Sequence, residues 1–180
     1  MAKKMTLTAA LSLAGTVILS LLYRNMQQEA LLSFAITFGT ISYHIIMRLL
    51  VGRAYHVGMR NKADYRKRWY RVGQGEMAVY EALHVKRWKA KMPTFNGELF
   101  DPRVHTWDEI AQATCQAELV HETIAALSFL PIAAGVRFGA YPVFIGTSVL
   151  AAAFDLLFAV MQRYNRQRIL RLLQREKATK

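Results

Sequence analysis

Charge is absent from long stretches of this chain and crowded between them. Nineteen uncharged residues, MTLTAALSLAGTVILSLLY, separate Lys4 from Arg24, close to the ~20 apolar residues a helix needs to cross hydrocarbon. Lys3 and Lys4 precede this stretch as in a signal peptide, but no A-x-A type site follows, so it reads as a retained helix over residues 5–23. A second apolar run covers 30–50. After Glu122 come TIAALSFLPIAAGV, then Arg137, then FGAYPVFIGTSVLAAAF up to Asp155. Pro131, Gly135, Gly139 and Pro142 interrupt that length, which predicts two helices, 117–136 and 141–161, joined by a tight turn. The pattern predicts an all-α integral membrane protein: one membrane domain over residues 1–180, with about four transmembrane helices.

The distribution of charge orients these spans. The formal net charge is +12 and 53% of the residues are hydrophobic. Basic chains often bind nucleic acid, but segregated charge beside uncharged runs fits cationic loops on anionic lipid, so no nucleic-acid partner is expected. With four spans, Lys3, Lys4, the stretch Arg48–Arg103 and the tail 163–180 share one side, and 22 of the 24 Lys and Arg fall there. The positive-inside rule then places both termini in the cytoplasm of a multi-pass inner (cytoplasmic) membrane protein.

Residues 51–116, between the second and third spans, are too many for an idle connection. Basic residues there interleave with Tyr65, Trp69, Tyr70, Tyr80 and Trp88, which predicts a basic interfacial segment on the cytoplasmic side, rings at headgroup depth and cations on phosphate. Asp108 and Glu109 suit the first turn of a helix leading into the third span. Cys115 is the single cysteine, which excludes an intrachain disulfide.

Ionisable groups next to hydrocarbon cost at least ~2.5 kcal/mol each and need a reason to be there. His44 and Arg48 stand four apart, on one helix face. Glu118, His121 and Glu122 follow at spacings of three and four. Asp155 interrupts the fourth span, and Gln162, Arg163, Tyr164, Asn165 and Arg166 mark its exit. Arg48 and Arg166 either snorkel to phosphate or bind substrate, and Asp155 is expected to pair with an arginine. A carboxylate beside an imidazole fixes its tautomer and raises its basicity. His121 oriented by Glu118 is therefore the candidate general base, with His44 as a second catalytic candidate. Arg163 or Asn165 is the candidate oxyanion stabiliser.

Two Glu-x-x-His elements, Glu81 with His84 and Glu118 with His121, keep a metal-dependent oxidase or hydroxylase open as an alternative, and a non-catalytic lipid-binding module is another. The favoured reading assigns no metal ligand and no bound cofactor. G-x-S-x-G, Walker and H-x-x-x-x-D patterns are absent.

Three blocks, HVKRWKAKMP, QAELVHETIAALSFLPI and FAVMQRYNRQRILRLLQR, resemble in order and spacing the integral-membrane glycosyl-4,4'-diaponeurosporenoate acyltransferases of carotenoid (staphyloxanthin) synthesis. The resemblance covers Lys86 to Arg175. It implies transfer of a fatty acyl group to a sugar hydroxyl of a membrane-embedded glycolipid. Its motif positions here are Lys86, Arg87, Trp88, Lys89, Glu118, His121, Gln162, Arg163, Tyr164, Asn165 and Arg166, which adds the KRWK residues, Gln162, Tyr164 and Arg166 to Arg48 as substrate-binding candidates. The expected partners are membrane lipids and an acyl donor, a thioester of coenzyme A or of acyl carrier protein.

Overall fold

In the computed structural model, residues 2–93 and 97–179 are described, and all regular structure among them is helical. Lys180 and residues 94–96 of the central segment lie outside the described residues. The long helices are α1 (Ala2–Met26) and α2 (Glu29–Met59), then, after the short α3 (Gln74–Ala82) and α4 (Val85–Trp88), α5 (Trp107–Leu127). A single turn, α6 (Gly135–Phe138), precedes α7 (Tyr141–Thr179). Among the described residues, four stretches are long and apolar enough to cross a membrane: Lys3–Met26, Glu29–Met59, Trp107–Phe138 and Tyr141–Glu176.

These spans overrun the apolar windows, and the reasons are local. Beyond Met161 the sequence is rich in Gln, Arg and Leu and contains neither Gly nor Pro, so nothing stops α7 where its apolar run ends. Helix α5 starts at Trp107 with Asp108 and Glu109 in its first turn, as the lead-in to the third span requires, and Thr106 and Glu109 form a capping box: Thr106 N donates to Glu109 Oε2 at 2.9 Å, and Glu109 N donates to Thr106 Oγ1 at 3.3 Å. The third span is not one α-helix to residue 136. Pro131 has no N–H for the ladder, and the chain passes through a 3₁₀ stretch, Leu130–Ala134, before α6. Gly139, at φ 69°, closes α6 by donating its N–H to Gly135 O at 2.8 Å.

The residues group into two compact units, Met1–Arg53 with Ile124–Ala153 and Ala54–Thr123 with Phe154–Lys180. In the first, small residues let α1 and α2 approach: Phe38 covers Gly15, and Thr16 covers Gly39. Tyr43 donates its hydroxyl to Leu127 O at 2.8 Å, satisfying a carbonyl at the end of α5.

The second unit holds the central segment. Helix covers both of its margins, and residues 60–106 lie between the second and third of these long apolar stretches. The aromatic residues expected at headgroup depth divide. Tyr70 and Tyr80 are buried, and Tyr80 packs with Met77, Val85, Tyr164 and the half-buried Trp88. Trp69 is exposed. Apolar burial within the protein thus takes up Tyr70 and Tyr80.

Candidate active site

Helix α5 brings Glu118 into the second unit with no exposed surface, and a buried carboxylate must be paired. It meets two arginines of α7. Arg163 Nη1 donates to Oε1, and Arg166 Nη1 forms an ion pair with Oε2 at 2.5 Å, off the hydrogen-bond direction. Arg166 is also fully buried, and its Nε and Nη2 donate to Tyr70 O at 3.1 and 2.9 Å.

Arg163 uses all five of its N–H groups. Nε and Nη2 donate to the two oxygens of Glu76 at 2.5 and 3.1 Å, Nη1 to Glu118 and to Trp69 O at 3.1 Å, and Nη2 to Arg71 O at 3.2 Å. Tyr80 donates its hydroxyl to Glu76. Burial alone would raise the Glu76 carboxyl, but the bonds from Arg163 and Tyr80 outweigh it and hold the group below its ordinary value. Burial and the Glu76 carboxylate push the Tyr80 hydroxyl up to about 12.

His121 is oriented from elsewhere. Its Nδ1 lies 2.9 Å from Asp155 Oδ1, its ring stacks on Phe158 at 4.6 Å between centroids and 9° between planes, and Asp155 is buried at 2% exposure. A carboxylate on Nδ1 sets the tautomer with Nε2 unprotonated, the nitrogen able to take a proton. Asp155 pairs with the histidine. One expectation is corrected here: Glu118, committed to Arg163 and Arg166, is not the residue that orients His121.

The exit of the fourth span divides as well. Gln162 and Asn165 line a groove of about 670 Å³, with Lys89, Phe100, Trp107, Ile110, Met161 and Ile169. Lys89 Nζ donates to Asn165 Oδ1 at 2.5 Å and stands 5.0 Å from the centroid of the Tyr164 ring, which is itself buried in the aromatic cluster. With its five donors spent, Arg163 has none left for an oxyanion, which corrects that role. Of the KRWK residues only Lys89 reaches the groove; Lys86 and Arg87 are exposed, and Trp88 donates Nε1 to Leu83 O at 3.1 Å. His44 and Arg48 belong to the first unit, where Arg48 Nη1 donates to His44 O at 3.2 Å and His44 meets Tyr43 edge-on. The two Glu-x-x-His elements form no metal centre: Glu81 and His84 are exposed, Glu118 is held by arginines, and no three His, Cys, Asp or Glu side chains gather around a metal position among the described residues.

Glu76 and the apolar groove residues had no part in the sequence reading. Glu76 stands in no motif, and only the fold brings it to Arg163, 87 residues away.

An all-helical membrane protein with a buried carboxylate on the Nδ1 of a half-buried histidine has the parts for acid–base transfer chemistry. The family model for glycosyl-4,4'-diaponeurosporenoate acyltransferase (CrtO) matches residues 65–175, and the chain belongs to that family of carotenoid-biosynthesis acyltransferases. Membership makes it an acyltransferase and sets aside the non-catalytic reading. The match extends the resemblance back from Lys86 to Tyr65 and takes in Glu76, Glu118, His121, Asp155 and Arg163. No curated protein and no solved structure matches the chain.

Proposed function

We propose that the protein moves a fatty acyl group from a cytoplasmic thioester to a hydroxyl or amine of a lipid-linked acceptor, a glycosylated carotenoid or a related glycolipid, with His121 as the general base. The observation that carries this reading is the His121–Asp155 pair, one member buried and the other half-buried beside Phe158. His121 Nε2 takes the acceptor proton as the acceptor oxygen or nitrogen bonds to the thioester carbon. A tetrahedral oxyanion forms at that carbon; Asn165, ten residues beyond Asp155 on α7 and so about 15 Å along the helix, is too far from His121 to meet it. Collapse breaks the carbon–sulfur bond, and the imidazolium returns its proton to the departing thiolate. Asp155 stabilises that imidazolium without taking its proton. Transfer is direct, since the one cysteine, Cys115, is fully buried and unsuited to nucleophilic attack.

The charge asymmetry of the loops supports both termini on the cytoplasmic face of the inner membrane, where a thioester donor is found. The substrates are the donor and membrane lipid, and no resident cofactor or metal is assigned. The test is transfer of labelled acyl groups from a thioester to extracted bacterial lipids by purified protein. His121→Ala should abolish it. Wild-type rates in that variant would overturn the base, and no product with any lipid acceptor would overturn the reading.

A further inference from the structure

The groove beside Gln162 and Asn165 has a chemistry that the catalytic pair does not use. Lys89, Arg168, Arg171 and Arg175 stand on its wall, and no carboxylate lines it among the described residues. Burial and the nearby charges of Arg168 and Lys86 pull the Lys89 ammonium down. Beside Thr114, Gln162 and Asn165, the rest of the lining is mainly apolar and aromatic, with Phe100, Trp107, Ile110, Met161, Ile169 and Leu172. Gln162 is 6% exposed, and its Oε1 has no partner among the described residues. A buried acceptor in that state calls for a donor.

The two walls also point at the catalytic pair. Thr114 on α5 and Gln162 on α7 both line the groove. Each precedes or follows its catalytic neighbour, His121 or Asp155, by seven residues, which keeps nearly the same helix face at about 10 Å of rise. Arg168 lies 13 residues beyond Asp155, about 20 Å along the helix, and Arg171 and Arg175 lie farther on. Cations at one end, amide-binding groups in the middle and a base at the other end match a carrier whose phosphates and thioester sulfur are separated by a long arm with amide groups.

We infer that this groove is the donor site and that the donor is a nucleotide thioester, acyl-coenzyme A, with its phosphates on Lys89, Arg168 and Arg171 and an arm amide donating to Gln162 Oε1. Several cations suit a polyanionic nucleotide better than the single phosphodiester of a carrier protein. Trp107 and Phe100 offer faces on which a base can stack. This rests on the proposed acyl-transfer reading, and binding without turnover separates the two.

The measurement is the affinity of a non-hydrolysable acyl-coenzyme A thioether for the full-length protein in neutral detergent. The variant is Arg168→Gln/Arg171→Gln, both positions being exposed and outside the buried arginine network. Loss of two charge-assisted contacts should weaken binding by at least about tenfold, while His121→Ala binds as wild type does. Acyl-pantetheine without phosphates should bind far more weakly than the full thioether. Equal affinity in the double variant, or equal affinity for acyl-pantetheine, would overturn the site. So would displacement of the thioether by phosphatidylglycerol nanodiscs as readily as by coenzyme A, since the groove would then be a lipid site. Tight binding without transfer would count against the catalytic reading alone.

Discussion

Asp155 Oδ1 lies 2.9 Å from His121 Nδ1, 34 positions apart in the chain. The contact joins α5 to α7 and decides which ring nitrogen carries the proton. Asp155→Asn can still hydrogen-bond the ring, but it presents the wrong partner to Nδ1 and no charge to the imidazolium. Turnover should fall about 10²–10⁴-fold in this variant, with thermal unfolding close to wild type. A kcat within threefold of wild type would remove Asp155 from the mechanism.

Arg163→Lys replaces a five-donor fork with a point charge that cannot reach Glu76, Glu118 and two carbonyls together. A broken buried pair of this kind costs about 3–5 kcal/mol, so the variant should unfold at a markedly lower temperature in detergent. Activity at low temperature should follow the folded fraction. A stable protein with selectively reduced kcat would instead return Arg163 to the chemistry.

Glu76 and Tyr80 set a pH window for stability. The depressed carboxyl of Glu76 contributes stability that is complete above its ordinary range near 4.5 and is lost as pH falls through its lower native value. The raised hydroxyl of Tyr80 contributes stability that is complete below 10 and is lost as pH rises toward about 12. Glu76→Gln should therefore destabilise at neutral pH and cease to differ from wild type in strong acid. Tyr80→Phe should converge with wild type at the alkaline end. Parallel stability curves across the whole range would refute both assignments.

Gly135 lies under the Tyr141 ring, and a Cβ there would meet ring carbons at 2.5 and 2.6 Å. Gly135→Ala should destabilise by about 1–3 kcal/mol through overpacking, and adding Tyr141→Ala should recover part of the loss. Additive losses in a double-mutant cycle would show that the two positions do not interact.

Segregated charge made the four spans legible, because apolar length is a local property. The lead-in of α5 was legible from Asp108 and Glu109, but the continuation of α7 past its window was less so: a membrane window detects hydrocarbon, whereas a helix ends only at a breaker or a cap. Within the site, His121, Gln162 and Asn165 stood out as polar residues beside apolar ones. The partner of His121 was misassigned because Glu118, one turn away, is the nearer carboxylate in sequence. What decides the pairing is that two arginines of α7 already claim Glu118. That competition exists only once α5 and α7 are side by side.

Trp69, Tyr70 and Arg71 present three successive carbonyl oxygens to Arg163 and Arg166. Two guanidinium groups on a regular helix thus hold an irregular strip of chain by its backbone. That grip acts on the backbone, while the side chains add bonds of their own: Trp69 Nε1 donates to Glu122 Oε2 at 3.1 Å, and Arg71 Nε donates to Arg66 O at 2.9 Å. The strip is therefore fixed from two sides, by its carbonyls on α7 and by the Trp69 ring on α5, so it travels with those two helices as one piece.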